Sequence, residues 1–186
     1  GIGKSYINGE MIGQFNYNVL PKVTEIYPTY ARANEDLTII GSGFIPKDGN
    51  TFVVVKTINK DKKTYESWLK PSSIDSTLTN MTVKMPVGLT SAGLYVSTSF
   101  YNITNTDTIN KSSTFNYKVK PVINSLVWSV KGYDQVGDKL RITGYGISNG
   151  PSVNFYDDNG KKIDTKTATV VDVSSVEIIE APVTSI

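Results

Sequence analysis

Phe15-Asn16-Tyr17-Asn18-Val19-Leu20-Pro21 and Phe115-Asn116-Tyr117-Lys118-Val119-Lys120-Pro121 carry the same residue at five of seven positions. The match runs on through Val23 against Ile123 and Ile26 against Leu126, all at an offset of 100. It resumes at an offset of 103, where Leu37-Thr38-Ile39-Ile40-Gly41-Ser42-Gly43-Phe44 faces Leu140-Arg141-Ile142-Thr143-Gly144-Tyr145-Gly146-Ile147. An agreement this dense in a short chain marks an internal repeat, each copy a strand running into a Gly-x-Gly turn.

The composition says what kind of repeat it is. Of 186 residues, 37 are Val or Ile against 13 Leu or Ala, and 53 are Ser, Thr or Asn, a balance that favours β-sheet joined by polar turns. In the first copy the pattern predicts strands at 22 to 27, 36 to 41, 51 to 58, 63 to 69, 80 to 86, 93 to 101 and 112 to 119. Met81, Val83 and Met85 alternate with Thr82 and Lys84, so one face is apolar and the other wet. Lys56 to Lys63 reads as a solvated hairpin loop, and Asp158-Asn159-Gly160 as a tight hairpin turn. No segment shows a 3.6-residue apolar period, and the expectation for helix is a single short turn within Pro71 to Thr79.

Several chemistries leave with the residue types they need. The chain has no His and no Cys, which excludes zinc sites built on them, Ser-His-Asp and Cys-His nucleophiles, haem held by His, and disulfides. No catalytic residue, metal ligand or cofactor is expected. A net charge of +2 with scattered Lys disfavours nucleic acid as a partner. No apolar run approaches the ~20 residues that span a bilayer, so no membrane insertion is expected in this segment. Gly3-Lys4-Ser5 resembles the end of a phosphate-binding loop but is followed by Tyr6-Ile7 and the turn residues Asn8-Gly9, not by a helix. Asp134, Asp138, Asp157 and Asp158 fit no EF-hand spacing and read as turn acids.

Pro21-x-Val23-x-x-Ile26-x-Pro28, Leu37-x-Ile39-x-Gly41-x-Gly43-Phe44, Pro86, Gly93-x-Tyr95 and the closing Phe115-x-Tyr117 together resemble an IPT/TIG domain. The second copy resembles it through Pro121-x-Ile123, Leu140-x-Ile142-x-Gly144-x-Gly146 and Pro182, with Tyr145 and Ile147 where the first has Ser42 and Phe44. The resemblance implies an all-β chain of two tandem immunoglobulin-like (E-set) β-sandwiches. It implies no particular activity, since this fold serves receptors, adhesins, accessory domains of secreted enzymes and some transcription factors.

The copies are out of phase with the chain. The expected organisation is an N-terminal strand segment at 1–20, a complete first domain at 21–119 and an incomplete second domain at 120–186. Aligning Val176 to Pro182 with Val83 to Pro86 leaves the second copy without its two closing strands. Residues 1 to 20 carry a strand pair of that kind, including the twin of 114 to 119. The expectation is that Tyr6, Ile7, Ile12, Phe15, Tyr17 and Val19 are donated to the second domain of another copy or an adjacent repeat, against Val170, Val173, Val176 and Ile178. A head-to-tail exchange of this kind grows into a filament. The same pattern also suits a stretch of a longer tandem array.

Asn80-Met81-Thr82, Asn102-Ile103-Thr104 and Asn110-Lys111-Ser112 are glycosylation sequons. Asn102 and Asn110 flank a loop where a glycan would be exposed, and they are preferred over Asn80. Trp68, Trp128, Tyr30, Tyr101, Tyr133 and Tyr145 suit packing more readily than stacking on sugars, and Trp128 is expected near the domain junction. The reading is a non-enzymatic, extracellular or cell-surface structural protein assembling through strand complementation, with its own copies and glycans as candidate partners. The alternative is a ligand-binding ectodomain fragment of an adhesion receptor, and a third class is an accessory domain of a polysaccharide-acting enzyme.

Overall fold

The computed structural model describes residues 2–16, 20–45, 51–101, 107–128 and 138–183. Among them every regular element is a strand, and nearly all the pairing is antiparallel. β1 (Ile2–Ile7) and β2 (Glu10–Asn16) form a hairpin. Asn8 and Gly9, at φ of 50° and 84°, make its two-residue turn, the conformation that Asn-Gly accommodates at least cost. Among the described residues this hairpin is hydrogen-bonded to no other strand.

The first unit begins with β3 (Lys22–Tyr27), β4 (Tyr30–Ala31), β5 (Asp36–Ser42), β6 (Thr51–Ile58), β7 (Thr64–Leu69) and β8 (Ser73–Ile74). It continues through β9 (Asn80–Lys84), β10 (Gly93–Tyr101), β11 (Asp107–Lys111), β12 (Phe115–Asn116) and β13 (Lys118–Val119). One sheet runs β3-β5-β9-β8 and the other β11-β10-β6-β7, with β12 also on β10. Their inward residues meet in one core: Val23, Ile26, Leu37, Ile39, Met81 and Val83 from the first sheet, Val53, Val55, Leu94 and Val96 from the second. Phe44 and Tyr117 join the same core.

Buried among these apolar side chains, the Tyr117 hydroxyl has no hydrogen-bond partner among the described residues, and burial pushes its pKa up. Removing an unpaired buried hydroxyl relieves its desolvation cost. Tyr117→Phe is therefore expected to unfold in urea at the parent's midpoint or higher, by up to about 1 kcal/mol. A lower midpoint would mean the hydroxyl has a partner.

The second unit comprises β14 (Val122–Trp128), β15 (Lys139–Tyr145), β16 (Ser152–Tyr156), β17 (Lys162–Thr167), β18 (Thr169–Val173) and β19 (Glu177–Pro182). Its sheet β14-β15-β19-β18 repeats β3-β5-β9-β8, and its hairpin β16–β17 repeats β6–β7. The likeness extends to individual bonds. Asn59 Oδ1 accepts the Lys63 N–H at 2.9 Å, and Asp157 Oδ1 accepts the Lys161 N–H at 2.8 Å, so the two hairpin loops are closed in the same way. Lys62 and Gly160 occupy the same left-handed position in those loops, at φ of 60° and 77°. Both edge strands are bulged at the same place, between Val23 and Glu25 and between Ile123 and Ser125.

Two expectations are corrected by these pairings. Lys139 pairs with Pro182 as Asp36 pairs with Lys84, so Pro182 stands at the place of Lys84, two residues from the alignment with Pro86. The expected helical turn at Pro71 to Thr79 is instead β8 and an acid-centred turn. The Asp75 carboxylate accepts from the Thr77 hydroxyl at 2.7 Å, the Asn80 side-chain amide at 2.9 Å and the Thr79 N–H at 2.8 Å. Those bonds hold its pKa below the ordinary aspartate value, and they draw the backbone away from helical pairing.

Candidate assembly site

The superposed registers allow each side chain of the second unit to be compared with its twin. Val23 and Ile26 on β3 are 7% and 3% exposed, whereas Ile123 and Leu126, at the same positions of β14, are 52% and 61% exposed. In the first unit this face is covered by β10 and by Tyr117, which share the core with Val23 and Ile26. Among the described residues of the second unit no strand takes the place of β10, β12 and β13. Its core is reduced to Ile142, Ala168, Val170, Ile179 and Ala181, with Leu140, Ile147, Val153, Phe155 and Val173 packed at the margin.

The backbone is open at the same place. Among the described residues β6 is paired on both edges, with β7 and with β10, while β16 is paired only with β17. The free edge of β16 therefore carries strand hydrogen-bonding groups beside an uncovered apolar face. Each large side chain left there forgoes about 1.5–3 kcal/mol of burial.

The hairpin β1–β2 has the geometry that closes the first unit. Ile2 pairs with Asn16 and Gly3 with Phe15, as Gly93 pairs with Asn116 and Leu94 with Phe115. Phe115 and Val119 pack against the first core and Tyr117 lies within it, so the positions of Phe15, Tyr17 and Val19 are core positions in their twin.

A second feature joins the units. Glu177, at the start of β19, is 0% exposed. Its Oε1 accepts the Gly146 N–H at 2.7 Å, and its Oε2 accepts the Ile147 and Ser148 N–H groups at 2.7 and 2.8 Å. Oε1 also accepts the Gly88 N–H of the first unit at 3.1 Å. A Cβ on Gly88 would lie 2.8 Å from Val173 Cγ1, and one on Gly146 2.7 Å from Val119 Cγ1, so a valine of one unit packs closely on a glycine of the other on both sides.

The residues expected as acceptors lie elsewhere than on this open face. Val170 already lies in the core of the second unit, and Val173 sits where the units meet. Ile178 alternates with the buried Glu177 and Ile179 and so faces away from the core, while Val176 is half-buried in the bend before β19. The open face belongs instead to Ile123, Leu126 and Trp128, the last sharing a face with its partner Leu140. Trp128 lies at the far end of β14 from the linker, about 20 Å away at strand rise, not near the junction.

Of the expected donors, Tyr6 is in β1 and Ile12 and Phe15 are in β2, and Ile7 is exposed. Tyr17, Val19, Asn102, Tyr133 and Asp134 lie outside the described residues. The sequon asparagines within the described residues are Asn110 and Asn80. Asn110 is 7% exposed, its amide nitrogen buried without a partner, because β11 pairs in register with β10. Asn80 is exposed, with its amide on Asp75. Asp157 is committed to its hairpin loop and Asp138 is buried, while Gly3-Lys4-Ser5 lies in β1. Among the described residues no helix is long and apolar enough to cross a membrane.

No protein-family model matches the chain, and no curated protein matches it. Among solved structures, an auxiliary nutrient binding protein from Bacteroides ovatus ATCC 8483 is 13% identical, over 85% of this chain and 40% of its own, at a TM-score of 0.40. A tetra-tandem repeat in the extending region of a large adhesion protein is 12% identical, over 89% of this chain and 41% of its own, at a TM-score of 0.31. The chain thus spans about two fifths of the length of each. Both likenesses fall below the level at which a shared fold follows.

Proposed function

We propose that this is a non-enzymatic, extracellular or cell-surface structural protein, built of IPT/TIG-like sandwiches that join head to tail by β-strand complementation into a filament or surface rod. The carrying observation is the exposure of Ile123 and Leu126 where Val23 and Ile26 are buried. A closing hairpin supplies what that face and the free edge of β16 lack, and β1–β2 has the matching register. Strand addition satisfies backbone groups and buries apolar area in one step. A donor in one molecule and an acceptor in the next make a heterologous contact, which propagates unless its rotation closes a ring.

Light scattering after size exclusion tests this. The chain 1–186 is expected to form a series of multimers, and the chain 20–186 to remain monomeric. A peptide of residues 2–20 added to the shortened chain should bind and shift Trp128 emission to the blue, read in a Trp68→Phe background. A monomeric full-length chain, or a peptide that leaves Trp128 unchanged, would overturn the proposal.

A further inference from the structure

The two repeats also define how the hairpin sits on its acceptor. We infer that β1 of one copy pairs antiparallel with β16 of another with Gly3 opposite Val153 and Lys4 opposite Ser152, and that the Gly3 and Phe155 combination makes this acceptor select β1–β2. The inference rests on the assembly reading above and adds to it a register and a basis for selectivity.

The register comes from two correspondences. On the acceptor side, the matched loops place Asp157 at the position of Asn59, so Ser152, Val153 and Phe155 stand where Val54, Val55 and Thr57 stand on β6. On the donor side, the matched pairs place Gly3 at the position of Leu94 and Lys4 at that of Tyr95. In the first unit Tyr95 pairs with Val54 and Val96 with Val53, which puts Leu94 opposite Val55 one step along. Transferring both correspondences gives Gly3 opposite Val153. A slip by one residue would move every donated side chain to the other face of the sheet.

Selectivity follows from size. In the first unit Leu94 is fully buried, and the next inward position on β6 is the smaller Thr57, whose hydroxyl bonds Ser67 at 2.7 Å. In the acceptor that inward position is Phe155, packed at the margin of the core, while the donor offers Gly3. Diagonal cross-strand neighbours lie within reach of an aromatic ring, so Phe155 fills the room that Leu94 fills in the first unit. A hairpin of the β10–β12 type would bring a leucine against that ring and overfill the site. Gly3 is in regular pairing opposite Phe15, so its backbone makes no demand for glycine and size is the property at stake.

The chain has no cysteine, so introduced pairs report only themselves. Gly3→Cys with Val153→Cys in one chain should give a ladder of covalent multimers when oxidised glutathione takes up the two electrons and two protons of each new disulfide. Lys4→Cys with Val153→Cys, one residue out of register, should give none. Gly3→Leu should weaken association about tenfold or more, at the low end of overpacking effects, and Phe155→Thr added to it should restore association. Multimers that cross-link only in the slipped pair would overturn the register and leave the assembly reading standing. Gly3→Leu assembling as well as the parent would overturn the size selection. A parent chain that stays monomeric would overturn the assembly reading itself.

Discussion

Glu177→Gln is expected to destabilise the second unit by about 3 kcal/mol and to loosen its attachment to the first. Each oxygen of Glu177 accepts two backbone N–H groups, and the residue is fully buried. The amide that replaces one oxygen can only donate toward two other donors, so two bonds are lost and two N–H groups are left buried and unpaired. Charge-assisted bonds of this kind are worth about 1.5–3 kcal/mol each, which sets the size of the effect. Hydrogen exchange measures it directly: the amides of Gly88, Gly146, Ile147 and Ser148 should exchange faster, with Gly88 reporting the contact between the units. Unchanged protection at all four would refute this account.

Gly41→Ala and Gly144→Ala are expected to cost about 3 kcal/mol each, the first in one unit and the second in the other. The bulged strand brings its backbone onto the opposing glycine in both repeats. A Cβ at Gly41 would run into the Lys22 carbonyl oxygen and lie 2.7 Å from Phe44 Cζ. One at Gly144 would run into the Val122 carbonyl oxygen and lie 3.1 Å from its carbon. Backbone cannot yield there without breaking the pairing on either side of the bulge. Urea unfolding followed by Trp68 in one unit and Trp128 in the other separates the two losses. Either variant unfolding at the parent's midpoint would show that the bulge relaxes freely.

The recurrence of Gly41-x-Gly43 and Gly144-x-Gly146 at one offset is legible in the sequence, but as a turn: Gly41 and Gly144 stand inside β5 and β15, and nothing in the residues announces the approach of the bulged strand. The hairpin turns are legible, since Asn8-Gly9 and Asp158-Asn159-Gly160 carry the turn chemistry in the residues themselves, with Gly9 and Gly160 at positive φ. The exposed face of β14 is half legible: the alignment of Val23 with Ile123 and Ile26 with Leu126 names its residues, while the apolar residues of β18 and β19 point to those strands instead. Apolar content along a strand does not reveal which face lacks a cover, and Ile178 looks as suited to a core as Ile179 does. Glu177 was not legible at all. Its partners come from residues 88 and 146 to 148 and are backbone groups, so no spacing of side chains announces them. The turn at Asp75 is ambiguous in sequence because Ser, Thr and Asp serve a helix start and an acid-centred turn alike.

The short parallel pair of β13 with β4 has a mechanical meaning. Lys118 lies beside Tyr30 and Val119 beside Ala31, and the Lys120 N–H donates to the Ala31 carbonyl at 2.9 Å. Pulling residues 21 and 120 apart draws these neighbouring, co-directional segments in opposite senses along their own axes. Such a clasp is sheared, its links sharing the load and failing together, whereas an antiparallel pair tugged from one end opens link by link like a zip.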